Sequence, residues 1–207
     1  MADSVWIQFV DILKERGVRF EPGLSEEEAN CIEAEFGFRF PPDLRDFLHA
    51  GLPVGDRFPN WRDQSRASLR KRLSIPFEGI AFDVEHNGFW LDEWGPRPST
   101  LGEAQAIVSK MVASAPTLIP VYSHRMIPDR PFAAGNPVFS VHQTDIIYYG
   151  ADLRDYFIHE FLADKQAGIW PIPDAVRRID FWDVNRFQSI RWSHGCAVFD
   201  NRRGVLP

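Results

Sequence analysis

The stretch Gly23–Gly55 reads as two short helices joined by a fixed corner. Ser25 stands as the N-cap of the first, with Glu28 three positions on. That pairing makes a capping box, in which each side chain satisfies the other residue's backbone N–H. Ala29, Ile32 and Phe36 follow at helical spacing and form one apolar face. Glu26, Glu27, Glu33 and Glu35 lie largely off that face, and the first two suit the positive end of the helix dipole. Gly37 is the expected stop. Pro41-Pro42-Asp43 starts the second helix, because proline fits a first helical turn. Leu44, Phe47 and Leu48 form its apolar side, and Gly51 ends it. The pair is a helical clamp with one side to bury and an acidic side to show.

The rest of the chain divides by hydrophobic period. Residues 4–16 read as an amphipathic helix, with Trp6, Phe9, Val10 and Leu13 as its stripe, Ser4 as a cap and Gly17 as a stop. Residues 55–74 read as a loop with a basic tail: Arg57, Arg62, Arg66, Arg70, Lys71 and Arg72. Trp61, within it, is either an anchor folded onto the core or a hot spot for a partner. Phe77, Ile80, Ala81 and Val84 mark a helix that ends near Asn87-Gly88. The proline-bounded segment after it carries Trp90 and Trp94, which either line a groove or form a lid over the core. Thr100 and Glu103 form a second capping box, opening a helix with Leu101, Ala104, Ile107, Val108 and Met111 inward.

Beyond Pro116 the period changes to two. Leu118–Tyr122 reads as a strand placed at an edge by Pro120. Residues 137–141 and 145–149 read as a hairpin. The second strand is apolar on both sides, so it is expected at the centre of the sheet. Asp152 caps a helix through Leu162, with Leu153, Tyr156, Phe157 and Phe161 inward. Pro171 and Pro173 suggest an extended connector, Phe181-Trp182 is expected to pack back, and the tail from Arg186 is locally basic.

Several of these segments resemble, in order and spacing, the SUKH superfamily, which takes in Smi/Knr-like cell-wall regulators of fungi and many bacterial immunity proteins. The segments are Gly23-Leu24-Ser25, the glutamate-rich helix, Phe40-Pro41-Pro42-Asp43-Leu44 and Gly51-Leu52-Pro53-Val54-Gly55. Further on come Phe89-Trp90 with Trp94-Gly95-Pro96-Arg97-Pro98, and residues 135–150 match most closely. The resemblance covers roughly residues 20–162, with Arg178–Trp182 similar to the usual final segment. It implies a protein-binding module rather than an enzyme.

Composition narrows the field. With 207 residues the chain is expected to form one domain: a core over about 20–162 and an extension over 163–207 packing back on it. Seven Trp and seventeen Phe point to a strongly aromatic core. A net charge of -6 argues against a general nucleic-acid binder and suits either simple solubility or a basic protein partner. Cys31 and Cys196 are far apart and read as buried, reduced thiols, consistent with a cytoplasmic protein. No stretch is long and apolar enough to span a membrane, and the first residues lack a signal core.

Reactive motifs are missing. Phosphate-binding glycine loops, GxSxG, HExxH and paired CxxC are absent, no two histidines have standard zinc spacing, and no cofactor is implied. His142 with Asp145 reads either as a general base with its orienter or as exposed hairpin-turn residues. Asp152, Asp155 and Glu160 read as a helix cap and solvated face rather than a carboxylate site. Cys31 sits on an acidic helix, which disfavours a thiolate.

The fold expected is α+β, a mostly antiparallel twisted sheet surrounded by several helices. The function expected is a non-catalytic binding module, an immunity protein that neutralises a polymorphic toxin of nuclease or deaminase type. Its mechanism would be occlusion of a basic active site by an acidic, aromatic-lined surface. Trp61, Trp90, Trp94, Tyr149, Asp152, Glu26 and Glu27 are the partner-binding candidates. The alternatives are a housekeeping regulatory interaction protein and a hydrolase using His142 and Asp145. A weak homodimer, with the basic run of one copy on the acidic helix of another, stays open.

Overall fold

A computed structural model describes residues 4–163 and 176–188. Pro171, Pro173, Cys196 and the basic tail beyond residue 188 lie outside the described residues. The fold is mixed α+β, and its two sheets are both antiparallel.

Helix α1 (Ser4–Glu15) buries the expected stripe of Trp6, Phe9, Val10 and Leu13. Ser4 lies within the helix rather than capping it. Strand β1 (Arg19–Glu21) follows; a three-residue strand is too short to show alternation in the sequence. Helices α2 (Glu26–Phe36) and α3 (Pro42–Ala50) form the clamp. Both bonds of the Ser25–Glu28 capping box are made, and Gly37 closes α2 in the left-handed conformation, φ 72°. Cys31 faces outward, not inward. Its position lies off the Ala29–Ile32 stripe, so helical phase overrides its tendency to be buried.

Strand β2 (Leu52–Val54) pairs with β1 as a small two-stranded sheet. Helix α4 (Ala67–His86) then begins well inside the stretch read as loop. Leu69 is fully buried and Leu73 packs on the same cluster. That burial holds the helix through Pro76, where the missing N–H and ring bulk would otherwise favour a break. A 3₁₀ turn at Asp92–Trp94 leads to α5 (Leu101–Ser114). Thr100 caps α5 through Glu103 N–H, but the Glu103 carboxylate accepts from the Thr100 hydroxyl at 2.6 Å, so only half of the expected box forms. Leu101, expected inward, is 41% exposed because it precedes the helix's contact with the core.

The main sheet is a meander, β3 (Leu118–Tyr122), β4 (Arg125–Pro128), β5 (Val138–His142) and β6 (Asp145–Gly150), in that spatial order. β3 is an edge strand, as Pro120 predicts. β4 is too short and too polar at its start to read as a strand. β6 lies at the other edge rather than the centre. Its two apolar sides are explained by cover: α6 (Leu153–Phe157) and α7 (Val184–Gln188) both pack against it. The helix that Asp152 caps passes after Phe157 into a π-helical turn, Ile158–Leu162.

Side chains alternate between two aromatic-rich clusters on opposite faces of this sheet. Ile127 and Val138 join α1, α2, α3 and α6 on one face. Met126, Phe139 and Val141 join α5, α7 and the Phe89–Trp94 segment on the other. Trp182 is buried in the second cluster and donates its indole N–H to the Pro116 carbonyl at 2.6 Å, so the Phe181-Trp182 segment packs back as expected.

One contact fixes α4 against the β5–β6 turn. A Cβ at Gly79 would lie 2.7 Å from Gln143 Cα, so only glycine permits this approach. One turn later the buried Asp83 carboxylate accepts from Thr144 N–H at 2.9 Å and from the Thr144 hydroxyl at 2.6 Å. A buried carboxylate is tolerated because the turn supplies its donors.

Candidate binding surface

The acidic side of α2 is matched within the chain. Arg45, from α3, pairs with Glu26 at 2.6 Å and Glu33 at 2.8 Å. Arg62 takes both oxygens of Glu28, at 2.7 and 3.0 Å, and adds the Pro22 and Gly23 carbonyls. Arg66 and Arg70 share Glu35, at 3.0 and 2.9 Å. Arg66, left-handed just before α4 begins, and Arg70, in its first turn, reach the same carboxylate. The pairing holds Glu28 down from its ordinary 4.5 to about 2, chiefly through the hydrogen bonds from Arg62. The basic run therefore meets the acidic clamp in one copy, which removes that charge pairing as a reason for a homodimer.

The remaining cations of the run point elsewhere. Three open depressions, of about 340, 380 and 410 Å³, adjoin around the loop Gly55–Phe58. One is lined by Arg57, Lys71 and Arg72 with the hydroxyl residues Ser68 and Ser123, and with Asp56 as its carboxylate. Another has Arg16 and Arg19 on its rim and the rings of Phe58, Tyr122 and Phe161 in its wall. Among the described residues none of the ion pairs involves Arg16, Arg19, Arg57, Lys71 or Arg72.

Arg72 builds this face. Its guanidinium donates to the carbonyls of Asp56 at 2.7 Å, Arg57 at 3.2 Å and Ser123 at 3.4 Å. Ser123 N–H returns a bond to the Arg57 carbonyl at 2.6 Å. The loop, α4 and the β3–β4 turn are thus tied at one point. Burial holds the Arg72 guanidinium below its ordinary value, with no carboxylate offsetting it. His124, beside it, is also held down, first by burial, then by Arg125 and His142. Arg125 also contacts His124 Nε2, and His124 Nδ1 lies 3.2 Å from Ser123 Oγ.

The candidates read from sequence are dispersed. Trp61 is 2% exposed and packs edge-on against Phe38 and Phe40, so the anchor reading holds and the hot-spot reading falls. Trp94 is 7% exposed, under the half-buried Trp90, whose indole N–H is taken by the Gly95 carbonyl at 2.8 Å. That pair is a lid over the second cluster, not a groove. The Tyr149 ring contacts the Arg125 guanidinium at 3.5 Å and stacks on His159 at 4.7 Å. Asp152 caps α6 by accepting from Asp155 N–H at 2.8 Å. Glu26 is engaged by Arg45, and His49 Nε2 lies 3.2 Å from it. Glu27 alone of the candidates is fully outward with no partner among the described residues.

His142 and Asp145 are cross-strand partners at the exposed end of the hairpin. Among the described residues their side chains make no hydrogen bond to each other, so no carboxylate orients that imidazole. Among the described residues there is likewise no group of three or more His, Cys, Asp or Glu placed to hold a metal ion, and no helix long and apolar enough to cross a membrane.

The sequence shows the basic run but not how it divides. Had 67–74 read as helix, Arg70 would have fallen on one face, and Ser68, Arg72 and Ile75 on another. No family model matches this chain, and no curated protein or solved structure matches it.

Proposed function

We propose that this chain is a non-catalytic protein-binding module. The observation that carries this reading is the breadth of the face around Gly55–Phe58, where three open depressions adjoin. Small-molecule sites enclose most of their ligand in one concavity, whereas a protein partner is met across a wide surface. The Arg72 tether supports the same reading, because a face held rigid before contact loses less entropy on binding.

Within that class the role is immunity: the protein binds a toxin domain in the cytoplasm, of nuclease or deaminase type, and occludes its active site. The ordered run from Gly23-Leu24-Ser25 to Gly150 supports this through its resemblance to immunity and regulatory proteins. The contact shifts from the α2 carboxylates, already matched in the chain, to the Gly55–Phe58 face.

The test is to cross-link the full chain in its own cells, purify it and identify what co-purifies in stoichiometric amount. A domain whose toxicity disappears on co-expression is the expected result. A resident, non-toxic cellular protein would move the role to regulation. A clean monomer under cross-linking would overturn the module reading.

A further inference from the structure

We propose that the Gly55–Phe58 face receives an acidic peptide segment of the protein partner, its carboxylates seated against Arg57, Lys71 and Arg72. This rests on the module reading and deepens it by fixing the partner's chemistry. The chain carries a net charge of -6, yet five cations without a carboxylate partner among the described residues line these adjoining depressions. Against them stand Asp56, and Glu21, whose carboxylate already lies 3.4 Å from Arg62. A face of that sign on an acidic protein is not a by-product of overall composition.

Arg72 sharpens the point. A charge drawn partly out of water is normally paired or bound to an anion. Arg72 spends its donors on three carbonyls, which leaves its net charge uncompensated at the edge of an open depression. Ser68 and Ser123 add hydroxyl donors to the same wall.

The cations are spread over α1's end, β1, the loop and α4, so they match carboxylates spaced along a chain better than one compact anion. Phe58 and Tyr122 supply apolar wall between them, which a peptide's methylene and backbone surface can cover.

The probe is a fluorescein-labelled octaglutamate peptide, with octaglutamine as its neutral match, titrated with the full chain by anisotropy. Octaglutamate is expected to bind and octaglutamine not, with affinity falling as salt rises from about 50 to about 200 mM. The double variant R57E/K71E is expected to weaken binding about tenfold or more. Both side chains are exposed and make no ion pair among the described residues, and Arg57 reaches only the Tyr122 ring, at 6.0 Å, so its melting curve should stay close to that of the parent. K110E, on the outer face of α5, should leave binding unchanged. Binding that survives R57E/K71E, or no binding of octaglutamate, overturns the proposal. So does a single-stranded oligonucleotide or inorganic phosphate that displaces the peptide at equal charge concentration. A captured partner that binds R57E/K71E as tightly as the parent leaves the module reading standing and sinks this one. Peptide binding without any cellular partner does the reverse.

Discussion

Arg62 stands where three segments meet, since it reaches Glu21, the Pro22 and Gly23 carbonyls and Glu28. Glu28 in the folded chain titrates at about 2, against 4.5 ordinarily. The unfolded chain therefore takes up this proton at higher pH than the folded one. The pair's stabilisation is full above about 4.5 and is lost as pH falls toward 2. The carboxylate is well solvated, so screening cuts the contribution to about 1 kcal/mol at neutral pH. Arg62→Gln should raise the acid-unfolding midpoint followed by circular dichroism, and an unmoved acid limb would refute the pairing. Trp61 works differently: it contributes burial. Trp61→Ala should cost about 3–5 kcal/mol in denaturant unfolding. If Trp61 were a contact residue instead, stability would hold and only binding would fall.

At the level of elements, Gly79 reverses the usual helix rule. Glycine to alanine inside a helix ordinarily gains about 1 kcal/mol. At Gly79 the new methyl would meet the Gln143 backbone at 2.7 Å, and backbone cannot swing away. Gly79→Ala should therefore cost about 1–3 kcal/mol. Gly102→Ala, on α5 with nothing near its Cβ, should gain about 0.5–1 kcal/mol, and thermal melts of the pair decide the matter. Elements with a periodic apolar stripe between a start and a stop signal, or with alternation across a short turn, were legible in sequence: α1, α2, α3, α5 and the β5–β6 hairpin. α4's start was hidden by Pro76, which reads locally as a breaker although Leu69 and Leu73 secure the turns before it. β1, β2 and β4 span three or four residues, fewer than alternation needs to show. Asp83 reads as one more polar helix residue, because the Thr144 turn it holds lies 61 positions away. The site fared likewise: the arginine run was plain as charge, but its division between α2 and the open face depends on α4's phase.

In the whole molecule the two aromatic clusters share one sheet, and α4 supplies both, Leu69 to one and Ile80 with Val84 to the other. Neither cluster can dissolve without stripping a face of the other's support. Denaturant unfolding should therefore trace one transition, with tryptophan fluorescence and far-ultraviolet circular dichroism superimposed. Trp6 and Trp61 report the first cluster, and Trp94 and Trp182 the second, so separate melting would split the two curves. The double duty of α4 also makes its residue count a setting rather than a mere length. Each residue turns a helix by about 100°, so one residue inserted between Leu73 and Ile80 would rotate one end against the other by that angle. Leu69 and Ile80 could no longer both face inward, and Arg66 and Arg70 would swing out of phase with Glu35 or Asp83 with Thr144. α4 acts as a crankshaft, and its throw is fixed by counting.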